Sequence, residues 1–131
     1  MLRRYCGKLL YELRLYDGSV PWRSLPDLYV ETLSAATGLR YAAADAFVDV
    51  DARFYVARYL RAWQLQAVLA EALRERFDED WWRNPRAGPW LVQQLFARGQ
   101  RDLASELALH VAGRELSFTP LVSSIQRLLD A

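Results

Sequence analysis

From Leu2 to Tyr16 the apolar positions Leu2, Tyr5, Cys6, Leu9, Leu10, Leu13 and Tyr16 recur at intervals of three and four, the period of one helical face. Asp17-Gly18-Ser19 breaks the pattern. A second helix is predicted from near Ser24, where Ser24 and Asp27 can cap the first turn. Pro26 fits there because early helical N–H groups have no intrahelical partner. It presents Leu25, Leu28, Tyr29 and Leu33, and Gly38 supplies the stop. Residues 39 to 50 carry no clear period beyond a helical turn across Ala42 to Phe47.

From Ala52 to Phe77 the pattern predicts one uninterrupted helix, about 39 Å long at 1.5 Å per residue, with Asp51 as its N-cap. Tyr55, Tyr59, Ala62, Leu69 and Leu73 form one stripe, and Val56, Leu60, Trp63, Ala67 and Ala70 form its neighbour. A helix apolar over more than half its circumference belongs in the middle of a bundle. Further on, Asn84-Pro85 predicts a helix start that Pro89 would shift, and the helix carries Trp90, Leu91, Leu95 and Phe96 and ends at Gly99. A short helix over Leu103 to Val111 is bracketed by Asp102 and Gly113, and the last begins at Thr119-Pro120 with Leu121, Val122, Ile125, Leu128 and Leu129. No segment alternates as a strand would. The expected fold is therefore all-α, a bundle of about six helices around one long central helix, in a single helical domain over residues 1–131.

Composition agrees with that reading. A chain of 131 residues buries roughly 68% of the surface it exposes when unfolded, enough for one core. Lys8 is the only lysine, so positive charge is almost all arginine, whose planar donors favour fixed multi-donor contacts. Seventeen basic residues against sixteen acidic ones leave a formal charge of +1, which gives no field for a phosphate backbone. The expectation is no nucleic-acid partner. Apolar runs fall short of the roughly 20 residues of a membrane span, and Lys8, Glu12 and Arg14 interrupt the opening amphipathic segment, which therefore does not read as a signal peptide. With a single cysteine, Cys6, read as a buried thiol, the expectation is a cytoplasmic protein without disulfides or membrane contact.

Candidate chemistry is sparse. His110 and Glu106 share a helical face, yet two ligands do not make a metal site. Serines lack a Gly-x-Ser-x-Gly context, and no glycine-rich phosphate loop is present. Trp81, Trp82 and Trp90 either line a recognition groove or close the end of the bundle by packing on Phe77 and Phe96. Tyr55 and Tyr59 lie one turn apart with Arg58 beside them, and Arg61 follows Arg58 by a turn. These four are the candidate peptide or partner contacts, reading a carboxylate or peptide backbone through arginine forks and phenol hydroxyls. The alternative is a set of core aromatics flanked by internal salt bridges to Glu71 or Glu75 and their neighbours.

Phe54-Tyr55-Val56, followed by Tyr59, resembles the Phe-Tyr-Val-Tyr-x-Tyr run in the C-terminal part of oligoendopeptidase F-type zinc peptidases. Asp51-Ala52-Arg53-Phe54-Tyr55 is similar to the Tyr-Asp-Ala-x-Tyr-Tyr run of thimet oligopeptidases. The likeness is strongest from Asp49 to Trp63 and looser through the preceding helices and to Phe77. It implies an α-helical subdomain that in complete peptidases forms one wall of the substrate channel, with tyrosines and an upstream histidine bonding the peptide and the developing oxyanion. Here Tyr55 and Tyr59 match aromatic positions. Ala57 stands in place of one tyrosine, Phe54 and Val50 stand in place of hydroxyl-bearing rings, and the family's histidine falls at Asp49 or Asp45.

The zinc motif His-Glu-x-x-His is absent, and one histidine cannot supply it. What the resemblance implies is thus a non-catalytic counterpart or fragment of the subdomain. It would hold no cofactor itself, with zinc only on a separate catalytic region, and would be part of a metalloendopeptidase if joined to one. Expected partners are a second copy, a separate catalytic chain or a peptide. The rival expectation is a small helical protein–protein interaction module unrelated to peptidases.

Overall fold

The computed structural model describes residues 1–130. The protein is all-α. Its described residues form six α-helices and no strand: α1 (Leu2–Asp17), α2 (Leu25–Thr37), α3 (Tyr55–Phe77), α4 (Ala87–Gln94), α5 (Ala104–Ala112) and α6 (Thr119–Leu129). Short 3-10 turns punctuate the connections at Trp22–Ser24, Ala43–Asp45, Ala52–Phe54, Trp81–Arg83 and Phe96–Arg98. Two compact units result, Met1–Leu60 and Arg61–Ala131, and the boundary falls within α3.

In the first unit α1 packs on α2. Gly7 permits the close approach, since a methyl at that position would stand 2.8 Å from the Cβ of Ala36. The core there is Tyr11, Leu25, Tyr29, Leu33 and Ala46, with Val56 and Leu60 of α3 also buried. Tyr11 and Tyr29 meet edge to face with centroids 5.1 Å apart, and Tyr29 meets Tyr41 the same way at 5.8 Å. The buried Tyr11 hydroxyl donates to the Ala46 carbonyl at 2.9 Å, so the polar end of a large ring enters the core satisfied. Gly18 and Gly38 end α1 and α2 in the left-handed conformation (φ 72° and 75°), where glycine carries no Cβ penalty.

The second unit gathers Leu73, Phe77 and Ala87, with Leu69, Trp81, Trp90 and Leu91 packed against them. Ala67, Val68, Ala72 and Ala108 are also buried. Trp90 meets Phe77 edge to face at 5.9 Å. Trp82 and Phe96, by contrast, are each 64% exposed, so the packing expected of the tryptophan cluster holds for Trp81 and Trp90 only.

Several boundaries differ from the sequence pattern. α3 starts at Tyr55, not Ala52, because Arg53 (φ 59°) and Phe54 (φ 50°) adopt left-handed backbone and set a 3-10 turn before it. Asp51 occupies the N-cap of that turn without a side-chain capping bond; its carboxylate is held by Lys8 instead. α4 starts at Ala87, two residues past Asn84-Pro85, and the Asn84 side chain accepts from the Arg86 N–H at 3.0 Å. Asp102 does not cap α5 but pairs with Arg98, and Glu106 takes the capping role by accepting the Leu103 N–H at 2.7 Å. Along α3 the stripe expected to be central is split. Leu73 is buried, Leu69 and Trp63 are half-buried, and Tyr55, Tyr59 and Ala62 face solvent.

Candidate functional site

The turn before α3 is fixed by a buried polar network that the sequence pattern did not single out. Lys8 and Glu12 lie one turn apart on α1, on the same side as Tyr11, and are 5% and 0% exposed. The Lys8 ammonium donates to Asp51 at 2.8 Å and to Asp49 at 3.3 Å. Arg4, one turn earlier on α1, donates from one terminal nitrogen to both oxygens of Asp49 at 2.7 Å. The Tyr29 hydroxyl adds a fourth hydrogen bond to the same carboxylate at 2.9 Å. Glu12 Oε1 accepts the backbone N–H of Asp51 at 3.0 Å. Asp49 and Asp51 are therefore tied to α1 through side chain and main chain together. This anchorage holds Arg53 and Phe54 in a conformation that costs a non-glycine residue about 1–3 kcal/mol.

Desolvation opposes ionisation of every acid in this network, and the neighbouring groups decide the net outcome. Burial raises the Glu12 carboxyl above its ordinary value against the lowering effect of the Asp51 N–H and Lys8. Burial also opposes ionisation of Asp49, but Tyr29, Lys8 and Arg4 overcome it and bring the group below the usual aspartate range. The Tyr29 phenol is raised by burial and by its bond to Asp49.

A pH dependence follows from Glu12. Where its folded pKa exceeds the unfolded one, the folded protein binds the extra proton, so stability falls as pH rises across that interval and is level above it. Asp49 acts in the other direction, contributing stability above the unfolded aspartate value that is lost as pH falls through its lowered folded value. Urea titrations of the native chain and of Glu12→Gln should give a stability difference that declines from about pH 4.3, the ordinary glutamate value, and then flattens. A difference constant with pH would remove Glu12 as the source.

Beyond the strained turn, α3 presents the predicted aromatic and arginine face. Tyr55 and Tyr59 are 45% and 42% exposed, and their rings meet edge to face at 5.3 Å. Tyr59 also meets Tyr5 of α1 at 5.4 Å. The Arg58 guanidinium lies over the Tyr55 ring at 5.4 Å from its centroid, a cation–π geometry. Val56 and Leu60, one residue farther along, take the buried side, which leaves the tyrosines at the rim. Tyr55 pushes the Tyr59 phenol up from its ordinary value. Glu71 and Glu75, two of the partners in the internal alternative, both bind Arg114, at 3.0 Å for Glu71.

The structure thus brings Tyr55, Arg58 and Tyr59 together in the first unit. Arg61 belongs to the second unit, where it lines a cleft with residues of α5. Of the two aspartates where the resemblance would put a histidine, Asp49 is fully engaged in the network with α1 and Asp45 is exposed. Elsewhere, His110 Nε2 lies 3.4 Å from an Arg98 terminal nitrogen, and Glu106 serves its capping bond. Among the described residues no three His, Cys, Asp or Glu side chains are grouped to hold a metal ion. Cys6 is half-buried, and burial raises its thiol. No helix among the described residues is long and apolar enough to cross a membrane.

Comparison with known protein families, curated proteins and solved structures returns no match for this chain.

Proposed function

We propose that this chain is a non-catalytic helical module that holds an extended peptide, or a peptide segment of a partner, against Tyr55, Arg58 and Tyr59. In this reading it is a counterpart or fragment of the C-terminal substrate-channel subdomain of an oligopeptidase-like zinc peptidase. One observation carries the binding role: two tyrosine rings stand nearly half exposed in mutual edge contact, with an arginine laid over one of them. Exposed aromatics held by their neighbours offer contact area at low entropic cost, and arginine adds directional donors to backbone carbonyls or carboxylates. The anchored turn at Asp49–Phe54 supports the reading by fixing the start of the helix that displays them.

Amide chemical shifts followed while a five-residue Ala-Glu-Ala-Glu-Ala peptide is added provide the test. Saturable changes centred on Tyr55, Arg58 and Tyr59 are expected; Arg58→Ala, which removes a charge-assisted contact, and Tyr59→Asp, which removes a phenol donor and sets a like charge against the peptide's carboxylates, should each weaken binding by about tenfold. No saturable change, or changes confined to other residues, would refute the binding face. Adding a purified His-Glu-x-x-His catalytic region then separates the two origins. A stable complex sensitive to Tyr59→Asp supports the peptidase counterpart, whereas peptide binding without such a complex supports an unrelated interaction module. Light scattering over a concentration series measures self-association through the same face.

A further inference from the structure

Two clefts invite comparison. One, of about 310 Å3 in the first unit, is lined by Arg4, Tyr29, Tyr41, Asp45, Val48 and Asp49. Its principal polar groups satisfy each other, since Arg4 and Tyr29 both bind Asp49. The other, of about 400 Å3 in the second unit, is lined by Arg61 and Gln64 of α3, Ser105 and Leu109 of α5, and Glu115 and Leu116 of the following connection. Both lie within the roughly 300–1,000 Å3 of small-molecule sites. Only the second presents polar side chains of complementary kind that form no hydrogen bond or ion pair with one another or with other described residues.

The walls of that second cleft are nonetheless held in place. Gly113 ends α5 in the left-handed conformation (φ 63°). Arg114, the next residue, binds Glu71 and Glu75 on α3, which seats the connection so that Glu115 and Leu116 face the cleft. At the other end of α5, Glu106 caps the helix through the Leu103 N–H. The charged residues next to the cleft are thus consumed by structure, while Arg61 and Glu115 are left for solvent or ligand.

We propose that this cleft binds a small apolar zwitterion, the chemistry shared by a free hydrophobic amino acid and a short hydrophobic peptide. The ligand carboxylate would take the Arg61 guanidinium fork, which matches it in planar geometry. The ammonium group would take Glu115, and the apolar side chain would lie against Leu109 and Leu116. Gln64 and Ser105 offer neutral donors and acceptors for the remaining polar atoms. This site is separate from the tyrosine face and does not depend on the peptide reading given above.

The test is amide chemical-shift titration of the full chain with leucine and, separately, with dileucine. Saturation by leucine assigns the site to amino acids, and saturation by dileucine alone assigns it to short peptides. Arg61→Gln and Glu115→Gln should each weaken the bound species about tenfold, in line with losing one charge-assisted contact. N-acetyl-leucine, which lacks the ammonium group, should bind more weakly than leucine to the native chain but equally to Glu115→Gln; leucinamide should show the matching behaviour with Arg61→Gln. For a site selective for dileucine the same caps are placed on dileucine. Both substituted residues are exposed, and an unchanged thermal midpoint verifies that the variants fold. Tyr59→Asp is expected to leave this binding intact, so failure of the tyrosine face and failure of this cleft are distinguishable. Absence of saturable shifts with either ligand, or binding indifferent to both variants, would overturn the proposal.

Discussion

Replacing Lys8 with alanine is expected to destabilise the chain by about 2–3 kcal/mol, less than the cost of breaking a fully buried ion pair, because Asp49 and Asp51 keep part of their surface in water. The side chain is 6% exposed and its ammonium lies between Asp49 and Asp51. Asp49 would keep Arg4 and Tyr29. Asp51 would lose its ion pair, and Glu12, completely buried, would lose the favourable field of Lys8. The loss also bears on the backbone, because the Lys8–Asp51 bond is one of the restraints that keep Arg53 and Phe54 left-handed.

The sign of the pH dependence follows from the raised Lys8 pKa, in which burial opposes the charge but Asp51 and Asp49 outweigh it. The stabilisation is present below the unfolded lysine value, about 10.4, and is lost as pH rises through the folded one. Urea unfolding at neutral pH measures the effect. Lys8→Met, which keeps much of the apolar stem, separates packing from charge and should remain clearly destabilised. A cost below about 1 kcal/mol for both variants would place the pair among ordinary surface ion pairs, contrary to the burial of the lysine.

How much of this was legible in the sequence depends on the range of the interaction that decides each feature. The ends of α1 and α2 were readable because Gly18 and Gly38 act locally through left-handed backbone. The start of α3 was not, because a local rule made Asp51 a helix cap while a lysine 43 positions away holds its carboxylate. Lys8 and Glu12 read as polar interruptions of an apolar face. A signal was available: Arg4, Lys8, Tyr11, Glu12 and Leu15 share helical spacing, and two charges of opposite sign on a core-facing stripe call for buried partners. The four candidate contacts on α3 follow from helical spacing, with Tyr55 and Tyr59 also carried by the resemblance. Their periodicity placed the tyrosines in a central stripe, but burial of Val56 and Leu60 turned that stripe toward solvent over its first turns. The division between Leu60 and Arg61 left no trace in the pattern, since it falls inside a continuous helix.

In the second unit, Phe77→Ala is expected to cost about 3–5 kcal/mol through lost burial and an unfilled cavity. Phe77 is 6% exposed and closes the C-terminal end of α3 against α4, in one cluster with Leu73 and Ala87. Its ring takes the edge contact with Trp90, and the guanidinium groups of Arg76 and Arg86 lie 5.9 and 6.0 Å from its centroid. Asp78, the residue after it, turns the chain out of the helix with φ 75°, so the backbone has limited scope to bring another side chain into the space. Two arginines and one tryptophan would then border a void instead of a ring. Phe77→Leu keeps most of the apolar volume and should cost less than about 1.5 kcal/mol if the cluster can repack. Urea unfolding gives both values, and near-ultraviolet circular dichroism, to which the fixed rings of Trp90 and the Trp81–Trp82 pair contribute, reports whether the aromatic packing is retained. An alanine variant within about 1 kcal/mol of the native chain, with its aromatic signal unchanged, would show that α4 does not rest on Phe77 and that the core of this unit lies elsewhere.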